Sequence, residues 1–160
     1  MAPNCGPASV TIALRMIGLD VPGFNGQRDQ RVIDKARMIA TGKNDTSVGT
    51  TDTELERVVQ AAGGRYSESS SLSQLLGWVK GGTPVILAGN PSQAWNKRYS
   101  NDQVYKFDGG HWVTVSAYDE KTGYYVVNDP LSAIGPIYAS EAELATYFSR
   151  NGGLGIGVYK

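Results

Sequence analysis

At Pro84 the periodicity of the chain changes, and this limits the fold more than any other feature of the sequence. Ahead of it, apolar residues recur at helical spacing. Ala8, Ile12 and Met16, flanked by Val10, Ala13 and Ile17, form one apolar face ending at Gly18, with Pro7 suited to the first helical position. A second helix is expected from Arg28 to Ala40, with Val32, Ile33, Ala36 and Ile39 inward and Gly42 closing it. Thr51-x-x-Glu54 and Ser71-x-x-Gln74 read as capping boxes, which open a third helix running to Gly63-Gly64 and a fourth running to Gly81-Gly82. Beyond Pro84 the stretches VILAG, HWVTVSAYD, YYVVND and LGIGVYK are rich in β-branched and aromatic residues, and DEKTG between Tyr118 and Tyr124 reads as a hairpin loop. A capped helix from Ser140-x-x-Glu143 to Arg150 interrupts this half. Helices first and an antiparallel sheet second predict an α+β domain, with its helical part at about residues 1–82 and its sheet part at about 83–160. Residues 90–110 show no period, and an irregular stretch of that length in a compact domain is usually a lid or a binding loop.

Composition removes several classes of function. The length of 160 residues suits one domain with a core that needs no disulfide support, and the single cysteine can form no internal bridge. Fifteen basic residues balance fifteen acidic ones, which leaves no electrostatic footprint for nucleic acid or an anionic membrane. The longest apolar runs fall far short of the ~20 residues that span a bilayer.

The lone cysteine, Cys5, stands at the start of the first expected helix, and the lone histidine, His111, opens a strand directly after Gly109-Gly110. A helix amino terminus and a neighbouring imidazole are the two settings that favour a reactive thiolate. A base also needs an orienting acceptor, and the next strand ends in Asn128-Asp129-Pro130. If the hairpin pairs Tyr118 with Tyr124, Val113 lies opposite Asp129, which then shares the face of His111. Asn128 points away in that register, and a one-residue bulge would reverse the choice. Each residue also has an ordinary structural reading: a buried thiol, a core histidine, a turn-opening Asp-Pro. Their joint placement is the pattern of thiol acyl transfer.

NCGPASVTIALRMIG, GGHWVTVSAYDEKTGYYVVNDP and the order Cys, His, Asp resemble the papain-like cysteine peptidases, most closely the bacterial double-glycine peptidases that trim bacteriocin leaders. The resemblance implies that Cys5 is the nucleophile in Cys-Gly-Pro, His111 the base and Asp129 the orienter, with amino-terminal helices packed on the sheet. It implies a peptide substrate carrying Gly-Gly before the cut, in a groove walled by Gly110, Trp112 and residues 90–110. Neither a metal nor a cofactor is expected at this site.

Two departures stand out. Members of the family carry a Gln ahead of the cysteine as an oxyanion-hole donor, whereas only four residues precede Cys5 here. Asn4 and Gln93 are the candidate replacements, beside the Cys5 backbone amide. No transporter segment is present either, and Met-Ala-Pro-Asn-Cys reads like an added start on an excised domain. These features favour a free-standing bacterial peptidase or a toxin-type effector, secreted or delivered into a target cell and met there by an immunity protein. The competing readings are an amidase or deamidase with the same three residues, and a peptide-binding module without turnover.

Overall fold

The computed structural model describes residues 4–26, 29–47, 49–150 and 152–160. Three helices, α1 (Cys5–Met16), α2 (Gln30–Thr41) and α3 (Asp52–Ala61), come first. Strand β1 (Arg65–Ser69) and helix α4 (Leu72–Lys80) follow, then β2 (Val85–Gly89), a short 3-10 turn (Lys97–Tyr99) and α5 (Gln103–Lys106). The chain continues through β3 (His111–Asp119), β4 (Tyr124–Asn128), β5 (Ile137–Ala139), α6 (Glu141–Ser149) and β6 (Gly155–Tyr159). The strands form one antiparallel sheet in the order β1-β6-β2-β3-β4-β5. This is the expected α+β architecture.

The helix starts follow local chemistry. At Thr51 and Ser140 the hydroxyl accepts from the amide three residues on, while Glu54 and Glu143 reach back to the cap amide. Ser71 caps Gln74 in the first sense only, because the Gln74 side chain accepts from the Ser69 hydroxyl instead. Asp29 caps α2, whose expected start at Arg28 lies outside the described residues, and Gly42 closes it in the left-handed conformation at φ 76°. Pro7 is the third residue of α1 rather than its first.

Alternation along the strands divides the apolar residues between two cores. On one face Ile86, Ala88, Trp112, Ile156 and Val158 pack against α1, α2 and α3. On the other, Val85, Leu87, Val113, Val115 and Val127 pack with residues of α4 and α6 and with Trp95, Tyr99 and Val104. Trp95, Tyr99 and Val104 thus anchor the irregular stretch of residues 90–110 to the core. Trp95 stacks on Tyr147 at 5.1 Å between ring centroids, and Asn90 donates to Asp108 at 2.8 Å, closing the base of the segment.

Three expectations about the elements need correction. β1 lies inside the part expected to be helical, because RYSES is polar and its backbone is stabilised by pairing with the distant β6 rather than by an apolar face. The buried side of α1 runs through Ser9, Val10, Ala13 and Leu14, which leaves Met16 47% exposed. In α2 the entire Arg37 side chain is buried with Val32, Ala36 and Ala40, its guanidinium bonded to Asp34 and Asn44, while Ile33 and Ile39 are only half-buried.

Candidate active site

His111 and Asp129 are joined by a hydrogen bond of 2.7 Å from Nε2 to Oδ1, with both side chains fully out of solvent. The route to this contact differs from the one expected. Tyr124 pairs with Asp119, and Tyr118 with Tyr125, so the hairpin is offset by one residue from the sequence-based register. A bulge between Val115 and Ala117 then absorbs Ser116 and shifts the ladder back, so that Thr114 pairs with Asn128. Extended by one residue, that register sets Val113 opposite Asp129. Two displacements cancel at the site end of the strands.

The surroundings hold both groups. Oδ1 of Asp129 also accepts the Leu131 amide at 2.9 Å, an Asx turn bridging Pro130. The Tyr147 hydroxyl lies 2.9 Å from the His111 carbonyl oxygen and 2.8 Å from that of Leu87, tying α6 to β2 and β3. A β-carbon on Gly89 would lie 2.4 Å from the Tyr147 ring, so only glycine admits this approach. The Phe107 ring covers His111 at 5.6 Å between centroids. Sequence reading missed Tyr147 and Phe107, since an aromatic residue in an amphipathic helix or an irregular segment carries no signal beyond core packing.

With Nε2 engaged by a carboxylate, a neutral His111 presents its Nδ1 lone pair on the other side of the ring. Nδ1 is buried and has no hydrogen-bond partner among the described residues. Burial pushes the imidazole pKa down, while the hydrogen bond to Asp129 and the interaction with Cys5 raise it, and the balance stands at about 9. Cys5 lies within interaction range of its ring.

Cys5 is the first residue of α1 and is 3% exposed. The Asn4 side chain makes no capping bond, so the first-turn amides are free of that partner, and Asn4 Oδ1 is buried without one. The helix is docked by polar contacts. The Ser9 hydroxyl donates to the Trp112 carbonyl at 3.1 Å, and the Thr114 hydroxyl donates to the Ser9 carbonyl at 2.7 Å. Trp112 Nε1 donates to the Thr50 carbonyl at 3.0 Å. A β-carbon on Gly6 would lie 1.9 Å from Thr50 Oγ1, which explains glycine beside the cysteine.

The other candidates separate. Trp112 is 8% exposed and belongs to the helix-side core, where its pairing with Thr50 leaves almost no surface to wall a groove. Gly110 lines an open cleft of about 460 Å3 with Gln103, Lys106, Phe107, Asp108 and Gly109, directly before His111. Gln93 is exposed in a left-handed turn at φ 52°, its amide bonded to the Tyr105 carbonyl, and among the described residues no hydrogen bond joins its side chain to Cys5. Asn128 lies in the ladder opposite Thr114.

The fold has known counterparts. The peptidase domain of Streptococcus ComA, a bifunctional ABC transporter of a quorum-sensing pathway, superposes with a TM-score of 0.62 at 16% identity, over 98% of this chain and 91% of that one. A C39-like peptidase from Bacillus anthracis gives 0.62 at 16% identity, over 99% and 89%. A double-glycine-motif protease from an AMS/PCAT transporter, solved with its leader peptide, gives 0.58 at 18% identity, over 99% and 85%. No curated protein matches the sequence. The model of the Peptidase_C39-like family matches residues 3–154, and the chain belongs to that family.

Proposed function

We propose that the chain is a cysteine peptidase that cuts after Gly-Gly, with Cys5 as nucleophile, His111 as proton carrier and Asp129 as the residue that orients the imidazole. The buried bond between His111 and Asp129, which leaves Nδ1 as the free ring nitrogen near Cys5, carries this reading. Nδ1 of His111 takes the Cys5 thiol proton as Sγ attacks the scissile carbonyl carbon, and passes it to the leaving amine as the C–N bond breaks. Nδ1 then takes a proton from water, whose oxygen attacks the thioester carbonyl, and as the C–S bond breaks it returns that proton to Sγ, releasing the new carboxyl terminus. The first-turn amides of α1 and the Asn4 side chain, which adjoin Cys5, are the candidate donors to the developing oxyanion.

Recession of the site supports the double-glycine substrate. Cys5 and His111 are 3% and 2% exposed, so a backbone without side chains reaches them most easily. Among the structural neighbours, the AMS/PCAT protease is a double-glycine enzyme held with a leader peptide. Terminal proteomics on a bacterial lysate incubated with wild type or Cys5→Ala tests the reading. New amino termini preceded by Gly-Gly are expected with the wild type alone, and identical termini in both samples would overturn it. Fast iodoacetamide labelling of Cys5 at pH 6 without new termini would instead favour an amidase. The effector role extends the same reading: growth arrest on cytoplasmic expression of wild type but not Cys5→Ala is its expected sign.

A further inference from the structure

Outside the peptidase site, the densest chemistry lies where α3 meets the edge strand β1. Asp52 and Glu56 stand one turn apart on α3, and Glu68 reaches toward them from β1. One carboxylate oxygen from each falls within 4.8 Å of the others. Among the described residues none of the three joins an ion pair, and the cap of α3 is made by Thr51 and Glu54, so these carboxylates are not used to hold the helix start.

The second observation concerns Glu56 alone. It is 7% exposed, and its Oε2 is completely buried with no hydrogen-bond partner. A buried carboxyl crowded by two other acidic side chains is costly to ionise, and a bound cation supplies the missing counter-charge. Asp52 is half-buried and Glu68 exposed, so one side of the cluster stays open to solvent.

We propose that Asp52, Glu56 and Glu68 bind a divalent cation, with Glu56 at the closed base and water completing the open side. The ligand set favours calcium, which takes about six to eight oxygens in flexible geometry, over Mg2+, which is usually held by one or two carboxylates in strict octahedral geometry. The site fastens α3 to the sheet edge just beyond Thr50, the residue that receives Trp112 Nε1 and packs against Gly6. It is therefore a stabilising device attached to the layer that carries Cys5.

The test uses the whole chain, stripped with a chelator and dialysed, and does not depend on peptidase activity. Thermal unfolding with CaCl2 well above the dissociation constant is expected to raise the wild-type Tm by about 5 °C or more, with a smaller shift in MgCl2. Calorimetric titration is expected to show one calcium site per chain. Glu68→Gln, at an exposed position, and Glu56→Gln are expected to keep the fold and lose the shift. An unchanged wild-type Tm in calcium would overturn the proposal, as would an equal shift in both variants. A magnesium shift as large as that in calcium would overturn the assignment to calcium.

Discussion

His111 opens β3 and Asp129 directly follows the neighbouring β4, 18 residues apart, whereas Cys5 reaches them on a helix docked by contacts that span 103 and 105 residues. The backbone ladder, the Leu131 amide and the Tyr147 hydroxyl hold the first pair from several directions. Cys5 depends on Ser9, Thr114, Gly6 and Thr50 to keep α1 seated on the sheet. The pair is thus a local product of the hairpin, and the cysteine is a product of tertiary packing. Damage to the helix dock should move the thiol while leaving the imidazole in place.

The largest effect should come from Cys5 and His111, the reacting groups of the proposed mechanism. Cys5→Ala and His111→Ala are each expected to lower kcat/KM by at least ~10⁴-fold with the fold intact, since nucleophile and base act as a unit. Asp129→Ala should leave more activity, with a loss of roughly 10²–10⁴-fold, and Asn128→Ala should be nearly silent. Strong loss in Asn128→Ala with a silent Asp129→Ala would break the account of the ladder side. Kinetics on a Gly-Gly peptide, with circular dichroism to check folding, measures all four.

The oxyanion candidates divide along the same line. Asn4 adjoins Cys5 on the docked helix, and Gln93 stands exposed in the segment that packs with α6. Asn4→Ala is expected to lower kcat by roughly 10–10³-fold with little change in KM, because an oxyanion donor acts in the transition state. Gln93→Ala should change neither. The reverse pattern would move the oxyanion hole to the other side of the cleft.

How much of this was legible in the sequence depends on whether the signal was local. The capping boxes at Thr51 and Ser140 are written within four residues each, and both form. The positions of Cys5, His111 and Asp129 could be picked out because each is marked by neighbours: a helix start, a double glycine, a strand end before proline. The hairpin register could not, since nothing in DEKTG encodes the bulge at Ser116. β1 was invisible for a related reason, as a polar five-residue edge strand is specified by its partner 92 residues away. Trp112 reads as a groove wall from its place beside His111, yet strand alternation turns it to the opposite face, into the core over Thr50. The acidic cluster was equally hidden, because Glu68 meets Asp52 and Glu56 only once β1 joins the sheet.

A more moderate loss should follow from unseating the helix. Gly6→Ala places a methyl 1.9 Å from Thr50 Oγ1, and the overlap is expected to cost about 1–3 kcal/mol of stability, along with part of the activity as Cys5 shifts. Thr50 Oγ1 is buried without a partner, so Thr50→Ala alone should be tolerated. Combined with Gly6→Ala it should restore much of what the single change removes, because the atoms then left close, Leu55 Cδ2 at 3.1 Å and Thr50 Cβ at 3.2 Å, need to give by only a few tenths of an ångström. Additive losses in this double-mutant cycle would mean that α1 is not seated through this contact.

The smallest effect is on stability against pH, and it isolates the ladder side. The folded pKa of His111 is raised from 6.5 to about 9, with burial opposing and the Asp129 bond and Cys5 driving the rise. A group whose folded pKa is the higher one binds its proton more tightly in the native state, so its stabilisation is complete below pH 6.5 and lost as pH rises toward 9. Glu56 tilts the curve in the same sense between 4.5 and about 8, because burial and the neighbouring Glu68 and Asp52 hold its carboxyl protonated in the fold. The wild-type Tm should therefore decline across pH 6.5–9 by a few degrees beyond the decline in Asp129→Asn, which keeps Glu56 but removes the carboxylate that holds the imidazolium. Parallel curves for the two proteins would show that the Asp129 bond does not favour the charged ring, and the account of how the ladder holds His111 would then rest on geometry alone.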